Sequence, residues 1–341
     1  MKEQKIKIYL ILNALFLVII FILLGFVFNN IFSLTPNLHN IEPNGPQSIQ
    51  IVISRFNEDL KWTLSYPFNK YKYIVYNKNP DNDDYEKQHV IKHINIKNQG
   101  KCDHTYLYHI VHNYESLKDI TIFLPGCIDA ATFKYQKAKL LLEYIGNYNQ
   151  SFFITDYYSS QGLFDEFYYF KVDNYKSMSQ TNLTQNDELG FRRSKIRPYG
   201  KWFQKNFNTE VHNVSLFGIF SVHKKDILQH PKERYYNLMK SLECDTCVND
   251  ELSHYFEKSW EAVFYPLTET KIIPYTNSIS TIFTKMTSFY VKMYKNQYEL
   301  DLGNSPTSGP LFWNTIYMIN KLTYTNLYVN NYTDQKKNNK K

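Results

Sequence analysis

The chain has 341 residues, 43% apolar and 21% charged, which suits a folded body of one large domain or two ordinary ones and excludes a disordered chain. Its formal charge of +7 is concentrated at the ends, +2 in the first seven residues and +3 in the last eight. The body is therefore nearly neutral, and nucleic acid is not an expected partner, because that partner needs a basic face. The richness in Tyr (30) and Phe (24), with much Asn, Lys and Ile, reads as an AT-rich coding bias, viral or cellular, rather than as function.

Residues 1–7 carry three lysines and precede a 21-residue apolar run, 8–28, broken only by Asn13. About 20 such residues cross a bilayer as a helix. No Lys or Arg follows until Arg55, so the positive-inside bias predicts a cytoplasmic tail at 1–7, a transmembrane helix at 8–28 and the body on the far side. The run is too long for a signal-peptide core, and the NNIFSL after it lacks a small-x-small cleavage pattern. A single-pass type II protein is expected, in contact with lipid through one helix, its body in the ER or Golgi lumen, outside the cell or on a virion. Residues 29–47, with Asn, Pro and Gly, read as a stem.

Asn-x-Ser/Thr acceptors at Asn149, Asn182, Asn213 and Asn331 agree with an exported glycoprotein. Four cysteines allow two disulfides there, and the pairing Cys102–Cys127 with Cys244–Cys247 is expected.

After the stem, strands and helices alternate. Strands are predicted at 48–54, 73–76, 89–96 and 119–124, with a turn or short helix at 57–66. Asp103 is expected to cap a helix with Tyr106, Leu107, Ile110 and Val111 inward, and 132–145 forms another helix. The alternation predicts an α/β fold, Rossmann-like, with a parallel or mixed sheet and flanking helices. Ligands of such sheets bind beyond the strands' carboxyl ends, where Arg55, Asn57, Glu58 and Asp59 follow the first strand.

Residues 159–207 read as a long surface loop, with 192–202 facing an acceptor. A strand at 216–222 and helices at 231–242 and 249–264 follow, then one more from Ile279 to Met293 and a disordered basic tail, 334–341. The domain is expected to span 48–270, with a helical extension at 271–333.

On the helix at 249–264, Asp250, His254, Glu257 and Glu261 make one polar stripe. A carboxylate beside a histidine suits a general base, and the same stripe suits a solvated surface. Asp81-Asn82-Asp83 has the Asp-x-Asp form that holds a divalent cation on a diphosphate, or is a solvated turn. No dinucleotide, phosphate-loop or nucleophile-elbow motif is present.

Several blocks carry a resemblance. VISRFNEDLKW, YIVYNK, NQGKCDHTYLYHIVHNYESLKDITIFLPG, FGIFSVHKKDILQHPKERYYNLM and ELSHYFEKSWEAVF are similar, in order, to the blocks of an uncharacterised glycosyltransferase-like domain family of fungi, algae and large DNA viruses, over about 50–264. The resemblance implies a type A glycosyltransferase-like fold and sugar transfer from a nucleotide-sugar donor to a glycan or protein acceptor. It implies that Arg55, Asn57, Glu58, Asp59, Asn77, Lys78 and Lys101 line the donor side. Glu257, or else Glu251, would be the base, with His254 orienting it. The family's Gly-Arg-Glu stands here as Gly100-Lys101-Cys102, and its Phe-Leu-Gln-Gly as Phe123-Leu124-Pro125-Gly126. Asp129 is the nearest acid for a Mn or Mg ion bound with the donor. The loss of the acid at Cys102 motivates the alternative, a catalytically inactive membrane-anchored glycan-binding or structural surface or virion protein.

Overall fold

The structure is a computed structural model, and it describes residues 41–158, 167–172, 191–244 and 249–274. The predicted transmembrane helix at 8–28, most of the predicted stem, the helix expected at 279–293, the tail at 334–341, Asn182, Asn331 and Cys247 lie outside the described residues. Among those described, no helix is long and apolar enough to cross a membrane.

Strand β1 (Ile49–Arg55) is central, flanked by β2 (Tyr73–Asn77) and β4 (Ile120–Pro125), both parallel to it. β3 (Val90–Asn95) pairs parallel with β2, and β6 (Phe220–His223) pairs antiparallel with β4. The spatial order is β3-β2-β1-β4-β6, so the chain reverses its direction of travel between β1 and β4. Ile51, Ile53, Val75, Ile122 and Leu124 face one side, while Val52, Tyr76, Phe123 and Phe220 face the other. Burial on both faces explains the continuous apolar runs that mark these strands in the sequence. Each fully buried aliphatic or Phe side chain contributes ~1.5–3 kcal/mol.

Helix α1 (Lys101–Asn113) joins β3 to β4 and packs Tyr106, Leu107 and Ile110 on the Val52 face. Helix α2 (Thr132–Tyr148) follows β4 and packs Ala138, Leu141, Leu142 and Ile145 on the Ile51 face. β5 (Phe152–Thr155) is tied to β6 by Ser221, whose hydroxyl accepts from Phe152 N–H at 2.7 Å and donates to its carbonyl at 2.9 Å. Helix α3 (Tyr199–Asn206) places Tyr199, Trp202 and Phe203 in the core on the α1 side. α4 (Lys224–Leu228), α5 (Lys232–Leu242), α6 (Glu251–Glu257), α7 (Trp260–Phe264) and β7 (Lys271–Pro274), which pairs parallel with β5, complete the body. The result is a mixed α/β fold with a mostly parallel central sheet and flanking helices.

Four expectations change. The described part of 159–207 is not a surface loop, because aromatic burial draws α3 into the core. The strand expected from 216 begins at Phe220, after a tight turn at Leu216–Gly218. The helix expected at 249–264 breaks at Lys258–Ser259, where Ser259 Oγ donates to the Tyr255 carbonyl at 2.8 Å and competes with the helical ladder. Asp103 does not cap α1: Gly100 does, in a left-handed conformation, and Asp103 is buried.

Candidate functional site

The carboxyl ends of β1 and β4 meet where the strand order reverses, the position at which open α/β sheets bind ligands. Gly126 N–H donates to the Ser54 carbonyl at 2.7 Å, and Trp62 Nε1 donates to the Gly126 carbonyl at 2.8 Å. A Cβ on Gly126 would lie 2.9 Å from Glu58 Oε2, so glycine is what admits the Glu58 carboxylate over this seam. Glu58 is held there by the N–H groups of Phe56 (2.6 Å) and Asn57 (3.1 Å).

Arg55 has no such freedom. Its side chain is fully buried and donates to the carbonyls of Phe56, Glu58, Asn82 and Asp84 and to the side chains of Asn77 and Asn82. It also lies 4.2 Å over the Tyr85 ring. Asn57 Oδ1 accepts from Asn79 (2.7 Å) and Asn82 (3.2 Å), and Asn77 donates to the Asn79 carbonyl at 2.8 Å. These groups fasten the 79–84 turn to the sheet instead of facing a ligand. Asp83 pairs with Lys87 at 2.6 Å, and Asp59 with Lys61 at 3.0 Å.

Lys78 is buried, its amine donating to the carbonyls of Gln99 (2.6 Å) and Lys101. Burial pulls its pKa down to about 8. Lys101 reaches His254, Nζ to Nε2 at 3.3 Å. Burial, then the charges of Lys101 and Lys258, holds His254 well below the usual imidazole range.

Glu257 is the last residue of α6. Its Oε1 accepts from Phe217 N–H at 2.8 Å. Phe217 has φ 67°, ψ 8°, a left-handed conformation that is a true outlier for a bulky residue. The next residue, Gly218, has φ +63°, and a Cβ there would lie 3.0 Å from Cys102 Sγ. The turn is gripped by a buried ion pair: Lys137 Nζ bonds Asp156 Oδ2 (2.5 Å), Ser215 Oγ (2.9 Å) and the Leu216 carbonyl (3.1 Å), and Asp156 accepts from Leu216 N–H at 2.7 Å.

Beside the Phe217 turn stand Cys102, which a Cβ on Gly218 would touch, and Lys134, whose amine lies 5.5 Å from the centre of the Phe217 ring. The thiols of Cys102 and Cys127 are free, which corrects the expected disulfide between them, while Cys244 is disulfide-bonded. Burial pushes both free thiols up, with Glu257 acting on Cys102 and Glu58 on Cys127. Asp103, bonded by Trp260 Nε1 at 3.0 Å, is pushed up to about 8 by burial and then by Glu257. Lys134 lies 3.7 Å from Cys127 Sγ; burial disfavours its charge, but Cys127, Glu257 and Cys102 outweigh that and raise its pKa.

Glu251 is remote from this chemistry in role. Fully buried, it accepts from Val172 N–H, Ser194 N–H, Arg197 and Tyr255 OH and serves as an internal anchor. Asp250 caps α6 and pairs with Arg192, and Glu261 accepts from His212 and Asn213, so the stripe on 249–264 is not a solvated face. Arg192 and Arg197 therefore brace the core instead of facing an acceptor. Asn213 Nδ2, the atom a glycan would take, donates to Glu261 at 2.6 Å, and Asn149 ends α2 with its amide on the Asn44 carbonyl at 3.3 Å.

Asp129 is exposed at the rim, its carboxyl pushed up by desolvation and then by Asp59 and Glu58. Among the described residues no group of three or more His, Cys, Asp or Glu side chains is gathered to hold a metal. Glu58 is held by backbone N–H groups and Asp59 by Lys61.

The sequence reasoning singled out Glu58 and Glu257 and passed over Lys134, Lys258, Phe217 and the Lys137–Asp156 pair. One signal was available for Lys134: a lysine in the first turn of a helix opposes the macrodipole and invites a reason. No curated protein and no solved structure matches the chain. The family described as "Protein of unknown function (DUF3431)" matches residues 51–277, from β1 past β7, and takes in every residue of this site. The chain belongs to that family.

Proposed function

We propose that the domain is a glycosyltransferase that moves a sugar from a nucleotide-sugar donor to a hydroxyl of a glycan or protein acceptor, on a type A glycosyltransferase-like fold. The observation that carries this reading is the Glu58 carboxylate, held by the Phe56 and Asn57 N–H groups over Gly126 at the β1–β4 seam, the place where the strand order reverses. The motif resemblance and the apolar run at 8–28 support it from the sequence, with the body in the lumen, outside the cell or on a virion. In this reading Glu257 takes the acceptor hydroxyl's proton as the oxygen bonds to the anomeric carbon, and the bond from that carbon to the diphosphate breaks with its electron pair leaving on the phosphate oxygen. Phe217 N–H orients the carboxylate for that transfer. Glu58 faces the donor side.

The test is hydrolysis and transfer by the full chain in detergent with a panel of nucleotide sugars. Glu257→Gln is expected to lower turnover by at least ~100-fold. Unchanged turnover in the Glu257→Gln, Glu58→Gln double variant removes the reading. Cys102, standing where the resemblance expects an acid, favours a second reading, a glycan-binding or structural surface protein, which binds ligand without turnover.

A further inference from the structure

The two free cysteines meet different neighbours. Cys102 Sγ faces a carboxyl oxygen, Asp103 Oδ2, at 4.0 Å. Cys127 Sγ faces an amine, Lys134 Nζ, at 3.7 Å. Local structure builds the second pair: Cys127 stands two residues past the end of β4, the tight turn Ile128–Ala130 follows, and Lys134 lies in the first turn of α2. Both ends are fixed. Gly126 bonds the Ser54 carbonyl and receives Trp62, while the rings of Phe133 and Phe217 pack 4.8 Å apart beside Lys134. Among the described residues, the Lys134 amine has Cys127 Sγ as its hydrogen-bonding partner and the Phe217 ring as its cation–π partner. Thiol and amine are both half-buried, so a small oxidant has access to them. Burial pushes the Cys127 thiol up, and Lys134 is the largest influence opposing it. An oxidised sulfur takes up whichever nucleophile stands next to it, a second thiol or a nitrogen. For Cys127 that neighbour is the Lys134 nitrogen.

We propose that Cys127 and Lys134 form a redox modification site, at which peroxide joins the thiol sulfur to the amine nitrogen through one oxygen atom. One hydrogen peroxide oxidises the thiol to a sulfenic acid and leaves as water. The Lys134 ammonium gives its third proton to solvent. A second peroxide then takes one hydrogen from the sulfenic O–H and one from the amine as the O–N bond forms, and leaves as two waters. Sulfur and nitrogen are oxidised and both peroxides are reduced. Two equivalents of a dithiol reverse the change, returning thiol, amine and one water. The link removes one positive charge and closes the turn one residue from Gly126, the glycine beneath Glu58. This site rests on the pair itself and not on the transferase reading.

The experiment treats the full chain in detergent with hydrogen peroxide and reads intact mass and tryptic peptides. The wild type is expected to gain one oxygen and lose two hydrogens, to resist trypsin after Lys134, and to return to its starting mass in dithiothreitol. Cys102→Ser is expected to behave as the wild type, because that thiol has no amine beside it. Cys127→Ser and Lys134→Arg are expected to lose the product, and in Lys134→Arg the Cys127 sulfur is expected to proceed to the sulfinic acid. The wild-type peptides decide the matter even where a variant fails to fold. An unchanged mass, oxygen added to Cys127 with normal cleavage after Lys134, or the same product in Lys134→Arg overturns the site. So does a loss of two hydrogens without added oxygen that vanishes in Cys102→Ser, since that product is a disulfide between the two thiols.

Discussion

Glu257 Oε1 accepts a 2.8 Å hydrogen bond from the backbone N–H of Phe217, a residue held at φ 67°. A left-handed Phe costs roughly 1–2 kcal/mol, and it persists only where its surroundings over-determine it. Here Glu257, Lys137, Asp156 and Tyr106 each bond the backbone of Leu216–Gly218. Glu257→Gln retains an acceptor oxygen and is expected to leave the melting temperature within a few degrees. Glu257→Ala leaves the Phe217 N–H without its partner and is expected to destabilise by about 1–3 kcal/mol in urea titration. Equal stabilities for the two variants would refute the gripping role.

The buried Lys137–Asp156 pair makes a second prediction. Lys137→Met or Asp156→Asn alone leaves one buried group without its partner and is expected to lower stability by about 3–5 kcal/mol. The double variant is expected to lose clearly less than the sum of the two, read as a coupling in a double-mutant cycle. Additive losses would mean that the two groups act independently.

Arg55 tests positioning against direct binding. Its guanidinium bonds the Asn82 carbonyl at 2.6 Å and Asn77 Oδ1 at 2.8 Å, so Arg55→Lys removes the planar fork that reaches several acceptors together. A loss of roughly 2–4 kcal/mol is expected, with faster proteolysis in the 79–84 turn. Wild-type stability with weakened ligand binding would instead make Arg55 a ligand contact.

The pH dependence has opposing parts. Asp103 is raised to about 8 in the folded chain, so its contribution is complete below the ordinary carboxylate value near 4 and is lost as pH rises through about 8. His104 and His109 are lowered to about 3 by burial, so acid favours the unfolded chain and stability rises with pH between about 3 and 6.5. Unfolding free energy is expected to peak between pH 6 and 7, and Asp103→Asn is expected to flatten the alkaline limb selectively. An alkaline limb that persists in this variant would remove Asp103 as its cause.

Much of the sheet was legible in the sequence. β1 to β4 lie within two residues of their predicted ends; β1, β2 and β4 are buried on both faces and read as continuous apolar runs, while β3 is a half-exposed edge strand. α1 and α2 were visible through apolar residues at helical spacing. Glu58 and Glu257 were named from their motif blocks, and the structure holds Glu58 over Gly126 and Glu257 on the Phe217 N–H. Arg55 was found for the same reason, yet it turns inward to hold a turn. Motif spacing reports that a residue matters without reporting which way its side chain points.

By itself the sequence determined the order of strands and helices, the two-faced burial of the sheet and the end of it at which polar groups gather, since these follow from local periodicity. The tertiary structure alone decided the antiparallel β6, the break at Lys258–Ser259 and the burial of α3, each a product of contacts between distant segments. It also decided which charges are compensated. Lys137 and Lys134 are both lysines on one helix, but Asp156 lies 2.5 Å from the first and no described carboxylate lies within ion-pair distance of the second. That difference is set by what the fold carries to within a few ångströms, where Coulomb energies become large, and nothing in the one-dimensional pattern records it.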